Sequence, residues 1–147
     1  MLKSNKKSGF TIIEVLCALS IFSILFNCIM CIQLNNMKLK KYNKELSSFL
    51  YVLEAVKKEI IFNSTYSSIK NLNNNGRKYI RKDKLTIDNI KTLKLEEIFD
   101  VDKENDDSYL VMKITDGEVL KIELELYVKI NNREEKIKCE FYKGNYI

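Results

Sequence analysis

Apolar residues follow three successive patterns along this chain. From Phe10 to Leu34 it reads FTIIEVLCALSIFSILFNCIMCIQL, a run in which Glu14 is the only formal charge. At the helical rise this run spans about 37 Å, more than the about 30 Å of a bilayer hydrocarbon core. Beyond it, Leu46, Phe49, Leu50, Leu53, Val56, Ile60 and Ile61 recur at spacings of three and four. Lys44, Glu45, Glu54, Lys57, Lys58 and Glu59 fall mostly on the opposite face. That is the period of an amphipathic helix. No Pro or Gly interrupts residues 10–62, which predicts one helix about 80 Å long. Its residues 10–34 would face lipid, and residues 35–62 would pack on a head domain.

The third pattern has period two. Leu110, Met112 and Ile114 alternate with Val111, Lys113 and Thr115. Leu120, Ile122, Leu124, Leu126, Val128 and Ile130 alternate with Lys121, Glu123, Glu125, Tyr127 and Lys129. Ile137, Cys139 and Phe141 alternate with Lys136, Lys138 and Glu140. Asp116-Gly117 is a strong hairpin signal, and Asn131-Asn132-Arg133 reads as a second turn. Residues 108–147 therefore predict a three-stranded antiparallel meander with one apolar and one charged face. The stripe from Leu46 to Ile61 is its natural cover. The fold class is α+β: a long N-terminal helix on a small antiparallel sheet. Residues 63–107 form a variable polar connection. Asn63–Lys78 is Asn-rich and reads as a loop with room for a short helical turn, and a short helix is expected to start near Thr86.

Composition narrows the chemistry. The 147 residues include no His, Pro or Trp, so neither a Ser-His-Asp triad nor a His-ligated metal site is available. There is no Gly-rich phosphate loop and no convincing catalytic carboxylate pair, so no enzyme, cofactor or metal is expected. Cys28-Ile29-Met30-Cys31 has C-x-x-C spacing but lies inside the apolar run, where the thiols read as small apolar side chains. Cys139 reads as core. The acidic run Asp100–Asp107 lacks the Gly and Glu that an EF-hand loop would place at Asn105 and Val111, and reads as a solvated loop. Arg77, Lys78, Arg81 and Lys82, with Tyr79 among them, are a candidate nucleic-acid patch; an ordinary basic surface is the favoured reading over a DNA partner.

The apolar run has basic residues on both sides: Lys3, Lys6 and Lys7 before it, Lys38, Lys40, Lys41 and Lys44 after it. Charge counting therefore gives no orientation. The run is too long for a secretory signal, and NNMKLKK beyond Leu34 offers no small-x-small cleavage site. A plain single-pass anchor would leave Glu14 unexplained, since an acid deep in a membrane helix costs about 3 kcal/mol.

Lys6-Lys7-Ser8-Gly9-Phe10-Thr11-Ile12-Ile13-Glu14 resembles the prepilin N-terminal signal of type IV pilins and pseudopilins: a basic leader ending in Gly, then Phe, then Glu at the fifth position of the processed chain. The resemblance is close over residues 3–34 and extends in layout to the whole chain. It implies a leader at residues 1–9, cut by a membrane prepilin peptidase between Gly9 and Phe10, with Phe10 then N-methylated. Lys6 and Lys7 would hold the leader in the cytoplasm. The product would be a single-pass protein of the cytoplasmic membrane, head outside, later built into a pilus or pseudopilus with other pilin subunits. Glu14 would pair with the terminal ammonium of a neighbouring subunit. Two departures from the family stand out: the lack of a Pro in the apolar helix (Cys31 stands in its place), with the small head, favours a minor pilin or pseudopilin, and the lack of a cysteine pair for a head disulfide points toward a Gram-positive or anaerobic source. The alternative is a membrane-anchored binding module that does not polymerise. Loss of Lys3, Lys6 and Lys7 with the leader would take the formal charge from +5 to +2, so the mature chain is nearly balanced.

Overall fold

The computed structural model describes residues 11–103 and 107–144. The chain divides into two compact units between Lys41 and Tyr42. Helix α1 covers Ile12–Lys58 and continues into one π-helical turn, Glu59–Asn63, so the uninterrupted helix expected from the absence of Pro and Gly is present. Every residue from 11 to 41 is exposed.

The second unit holds the remaining elements. Helix α2 (Tyr66–Asn74) occupies the segment expected to be a polar loop. Two buried apolar residues one turn apart, Ile69 and Leu72, anchor it. Thr65 caps its start by accepting from the Ser68 amide at 3.2 Å. Its end is a Schellman motif, with the Arg77 and Gly76 amides donating to the Leu72 and Asn73 carbonyls at 3.0 Å each. That geometry requires a left-handed residue, and Gly76 supplies it at φ 69°. Strand β1 (Tyr79–Arg81) follows, then α3 (Ile87–Thr92), capped by Thr86 as expected, and α4 (Leu95–Ile98).

The sheet has four antiparallel strands, not three, in the order β1-β2-β3-β4, with β2 at Tyr109–Thr115, β3 at Val119–Ile130 and β4 at Arg133–Gly144. The added strand is β1, paired through Tyr79↔Val111, Ile80↔Leu110 and Arg81↔Tyr109. It has a single buried side chain, Ile80, among basic residues, so no alternation announces it. Asp116-Gly117 marks the β2–β3 hairpin, but with Thr115 opposite Lys121 the connection is wider than a two-residue turn. Asn131 and Asn132, at φ 49° and 63°, make the two-residue type I′ turn that sets Ile130 opposite Arg133.

The core lies between the inner face of the sheet and the second half of α1. Leu120, Ile122, Leu124, Leu126 and Val128 cluster with Val52, Leu53, Val56 and Ile60, and with Ile69, Leu72, Ile90, Ile98 and Phe99 of the connecting region. One position of the expected stripe moves: Leu50 is 42% exposed and Val52 only 2%. Leu50 sits about 100° around the helix from the centre of the packed face. The second half of α1 is also tied at both ends. The Tyr42 hydroxyl donates to Glu135 Oε1 at 2.6 Å, and the Lys143 ammonium donates to the carbonyls of Ile60 and Ile61 at 2.9 and 2.7 Å. A cation on those C-terminal carbonyls is electrostatically favourable.

The charged outer face hides one acid. Glu125 is 2% exposed beneath Lys138 (2.9 Å), Lys113 (3.0 Å), Lys136 (3.2 Å) and the Tyr127 hydroxyl (2.8 Å). The lysine stems cover it while their ammonium groups stay wet. The Lys138 ammonium, then Lys113, Tyr127 and Lys136, hold its carboxyl well below the usual range against the opposing effect of burial.

Two predictions follow from this packing. Ile60→Ala should cost about 2–5 kcal/mol and Leu50→Ala less than about 0.5 kcal/mol, compared by denaturant unfolding of the full chain in detergent. Because the folded pKa of Glu125 is depressed, its contribution is present above the unfolded value near 4.3 and is lost as pH falls below it. The stability gap between the parent and Glu125→Gln should therefore hold from pH 7 to 5 and narrow steadily toward pH 2.

Candidate functional site

Lys6, Lys7, Gly9 and Phe10 lie outside the described residues. The first described residues of the site are Thr11 and Glu14, at the start of α1. The Thr11 amide donates to Glu14 Oε2 at 2.8 Å, the Thr11 hydroxyl donates to the same oxygen at 3.0 Å, and the Glu14 amide points back to the Thr11 hydroxyl at 3.4 Å. This is a capping box: two amides that a helix start leaves unpaired are satisfied reciprocally. The acid also stands at the positive end of the helix dipole, which favours its charge. Treating Glu14 as an isolated acid misses Thr11. The signal is the Thr-x-x-Glu spacing itself. Oε1 makes no hydrogen bond among the described residues.

Further along the apolar run, each hydroxyl or amide turns onto its own helix. Ser20 donates to the Leu16 carbonyl, Ser23 to Leu19 and Asn27 to Ser23, each at 2.8 Å. Such back-bonds satisfy polar side chains in surroundings that offer no water. Cys17, Cys28 and Cys31 are free and exposed. By length and composition the helix from Ile12 to Asn63 is able to cross a membrane, and its apolar window is wholly unburied within the chain.

The basic residues of the head do not gather into one open strip. Arg77 donates to the Glu96 carbonyl. Arg81 lies 3.2 Å from Asp100 Oδ2 and 3.6 Å from Asp83, and Lys84 bonds Asp100 Oδ1 at 2.9 Å. Lys78 is exposed, and its amide donates to the Asp100 carbonyl at 3.0 Å; Lys82 is exposed beside them. Asp100, expected in a solvated acidic loop, is instead half-buried and bridged to β1. Asp107 pairs with Lys129 at 3.1 Å. Among the described residues no group of three or more His, Cys, Asp or Glu side chains is placed to hold a metal ion.

One family pattern, described as the prokaryotic N-terminal methylation motif, matches residues 4–26. Comparisons with curated proteins and with solved structures return no match. The chain therefore carries the type IV pilin-like N-terminal signal, followed by a long helix and an antiparallel sheet.

Proposed function

We propose that this chain is the precursor of a structural subunit, a minor pilin or pseudopilin, of a type IV pilus, competence or type II secretion-like fibre. The observation that carries the reading is the methylation motif at residues 4–26, running without interruption into a helix that begins at a charged, capped acid. A prepilin peptidase cuts between Gly9 and Phe10 and methylates the new amine of Phe10. Gly9 suits the cut because a residue without Cβ fits an extended form in a narrow cleft. Lys6 and Lys7 keep the leader cytoplasmic, and the head lies outside.

The capping geometry tells what processing leaves behind. Thr11 remains joined to Phe10 by a peptide bond, so its amide still donates to Glu14 Oε2 after the leader is lost. Glu14 then holds its own helix start through one oxygen and offers Oε1 to the terminal ammonium of a neighbouring subunit. In an apolar bundle that pairing is favourable and an unpaired carboxylate is penalised, so the acid sets the register of assembly.

Co-expression with a prepilin peptidase should shorten the chain by the nine residues of the leader, read by intact mass, with about 14 Da added on Phe10 by methylation. Gly9→Val should abolish the shortening. A chain that stays full length with an active peptidase would instead be a non-polymerising anchored module. Glu14→Ala should be processed normally yet enter fibres poorly, scored as the sheared-fibre fraction; normal incorporation would remove the register role.

A further inference from the structure

The apolar stretch of α1 ends in a ring of charge. Past Leu34 the helix runs on unbroken through Met37, Lys38, Leu39, Lys40 and Lys41, and all five of these residues are exposed. No acid occurs in the sequence from Val15 to Lys44. Successive helical positions turn by about 100°. Lys38 and Lys40 therefore lie on nearly opposite sides of the helix, with Lys41 between them on one flank and Leu39 on the other. A site for a folded partner gathers its charges on one stripe. Charge spread around the whole circumference instead matches surroundings that enclose the helix, and the headgroup layer of a bilayer encloses it.

The axial spacing agrees. Glu14 opens the helix with its carboxylate held by the Thr11 amide, and Lys38 follows it by 24 residues, about 36 Å along the axis. A hydrocarbon core is about 30 Å thick, and each headgroup layer adds about 5–7 Å. With Glu14 at one boundary of the core, Lys38 stands about 6 Å beyond the other, within the opposite headgroup layer. Lys40 and Lys41 stand slightly farther out and reach back along their flexible stems. Met37 and Leu39, 66% and 56% exposed among the lysines, cover the acyl boundary beneath the headgroups.

We propose that Lys38, Lys40 and Lys41 form a collar for anionic lipids in the leaflet at the C-terminal end of the span, and that this collar fixes the depth of the span. The assignment rests on the reading of α1 as a membrane helix. Each ammonium donates to lipid phosphate oxygens, and the summed charge draws anionic headgroups in preference to zwitterionic ones, which carry no net charge. Loss of Lys3, Lys6 and Lys7 with the leader leaves the lysines beyond Leu34 as the lysine flank of the processed span.

The test reconstitutes the full-length chain in phosphatidylcholine vesicles with a trace of spin-labelled phosphatidylglycerol or spin-labelled phosphatidylcholine. Lys3→Gln, Lys6→Gln and Lys7→Gln are present throughout, so that the leader lysines do not contribute. The motionally restricted fraction of each label gives the preference of the helix for the anionic lipid. That preference should be roughly threefold in 0.1 M salt and approach one in 1 M salt, where charge is screened. Lys38→Gln, Lys40→Gln and Lys41→Gln together should bring it close to one in 0.1 M salt, and the same three positions changed to Arg should keep it. Lys70→Gln, in α2, should leave it unchanged. A parent preference near one, a preference that survives the three Gln substitutions or 1 M salt, or its loss in the Arg variant would each overturn the collar. The vesicles hold both lipids in both leaflets and contain no peptidase, so the outcome is separate from cleavage after Gly9. A chain that is not processed can still show the collar, and a processed one can lack it.

Discussion

A four-stranded sheet with one apolar face is not stable in water until something covers that face, and in this head the cover is the second half of α1. Val52, Leu53, Val56 and Ile60 meet Leu120, Ile122, Leu124 and Leu126 in one cluster. Each fully buried aliphatic side chain contributes about 1.5–3 kcal/mol, so this seam dominates the energetics of the head. The other elements are arranged around it. Helix α2 brings Ile69 and Leu72 to its margin, α3 and α4 bring Ile90 and Ile98, and β1 closes the far edge of β2. Tyr42 and Lys143 pin the two ends of the covering helix with hydrogen bonds, which fix its placement more sharply than packing alone.

The same helix obeys a different rule over residues 12–41. A helix satisfies its interior backbone groups wherever it lies, so only its end and its polar side chains need help in an apolar medium. Thr11 and Glu14 serve the end, and Ser20, Ser23 and Asn27 serve themselves by bonding back to carbonyls one turn earlier. An acid that looks anomalous in an apolar run is therefore half-satisfied within its own chain. One carboxylate oxygen is committed to the cap, and the other makes no hydrogen bond among the described residues.

Charge on the sheet is organised by the same economy of burial. Glu125 stays ionised under its lysines because three ammonium groups and a phenol surround it. Two of those lysines, Lys136 and Lys138, also line β4, where exposed charge deters indiscriminate strand addition. Tyr127 stacks on Tyr109 at 4.9 Å, with Lys136 over Tyr127 at 4.7 Å, so these rings are engaged within the chain while Tyr142 on the same face stays exposed.

Most of the plan was legible along the chain because it rests on periodicity. The uninterrupted helix, its change from apolar all round to one-sided, the alternation of β2, β3 and β4, the Thr86 cap and the Asn131-Asn132 turn all follow from local side-chain chemistry. So did the N-terminal signal, whose elements must occur in a fixed order over a few residues. What local pattern did not determine was decided by contacts distant in sequence. Tyr79–Arg81 became a strand only because β2 offered an edge, and an Asn-rich segment became a helix because Ile69 and Leu72 had a core to enter. Val52 displaced Leu50 from the packed face because the sheet sets the direction of burial, and Asp100 left its acidic loop for Arg81 and Lys84. The sequence by itself determined the long helix, its apolar stretch and the strands β2, β3 and β4, since these depend on neighbours a few residues apart. The tertiary structure decided which charges are buried, which edge stays open and which side chains face it, since those depend on partners that no local spacing reveals.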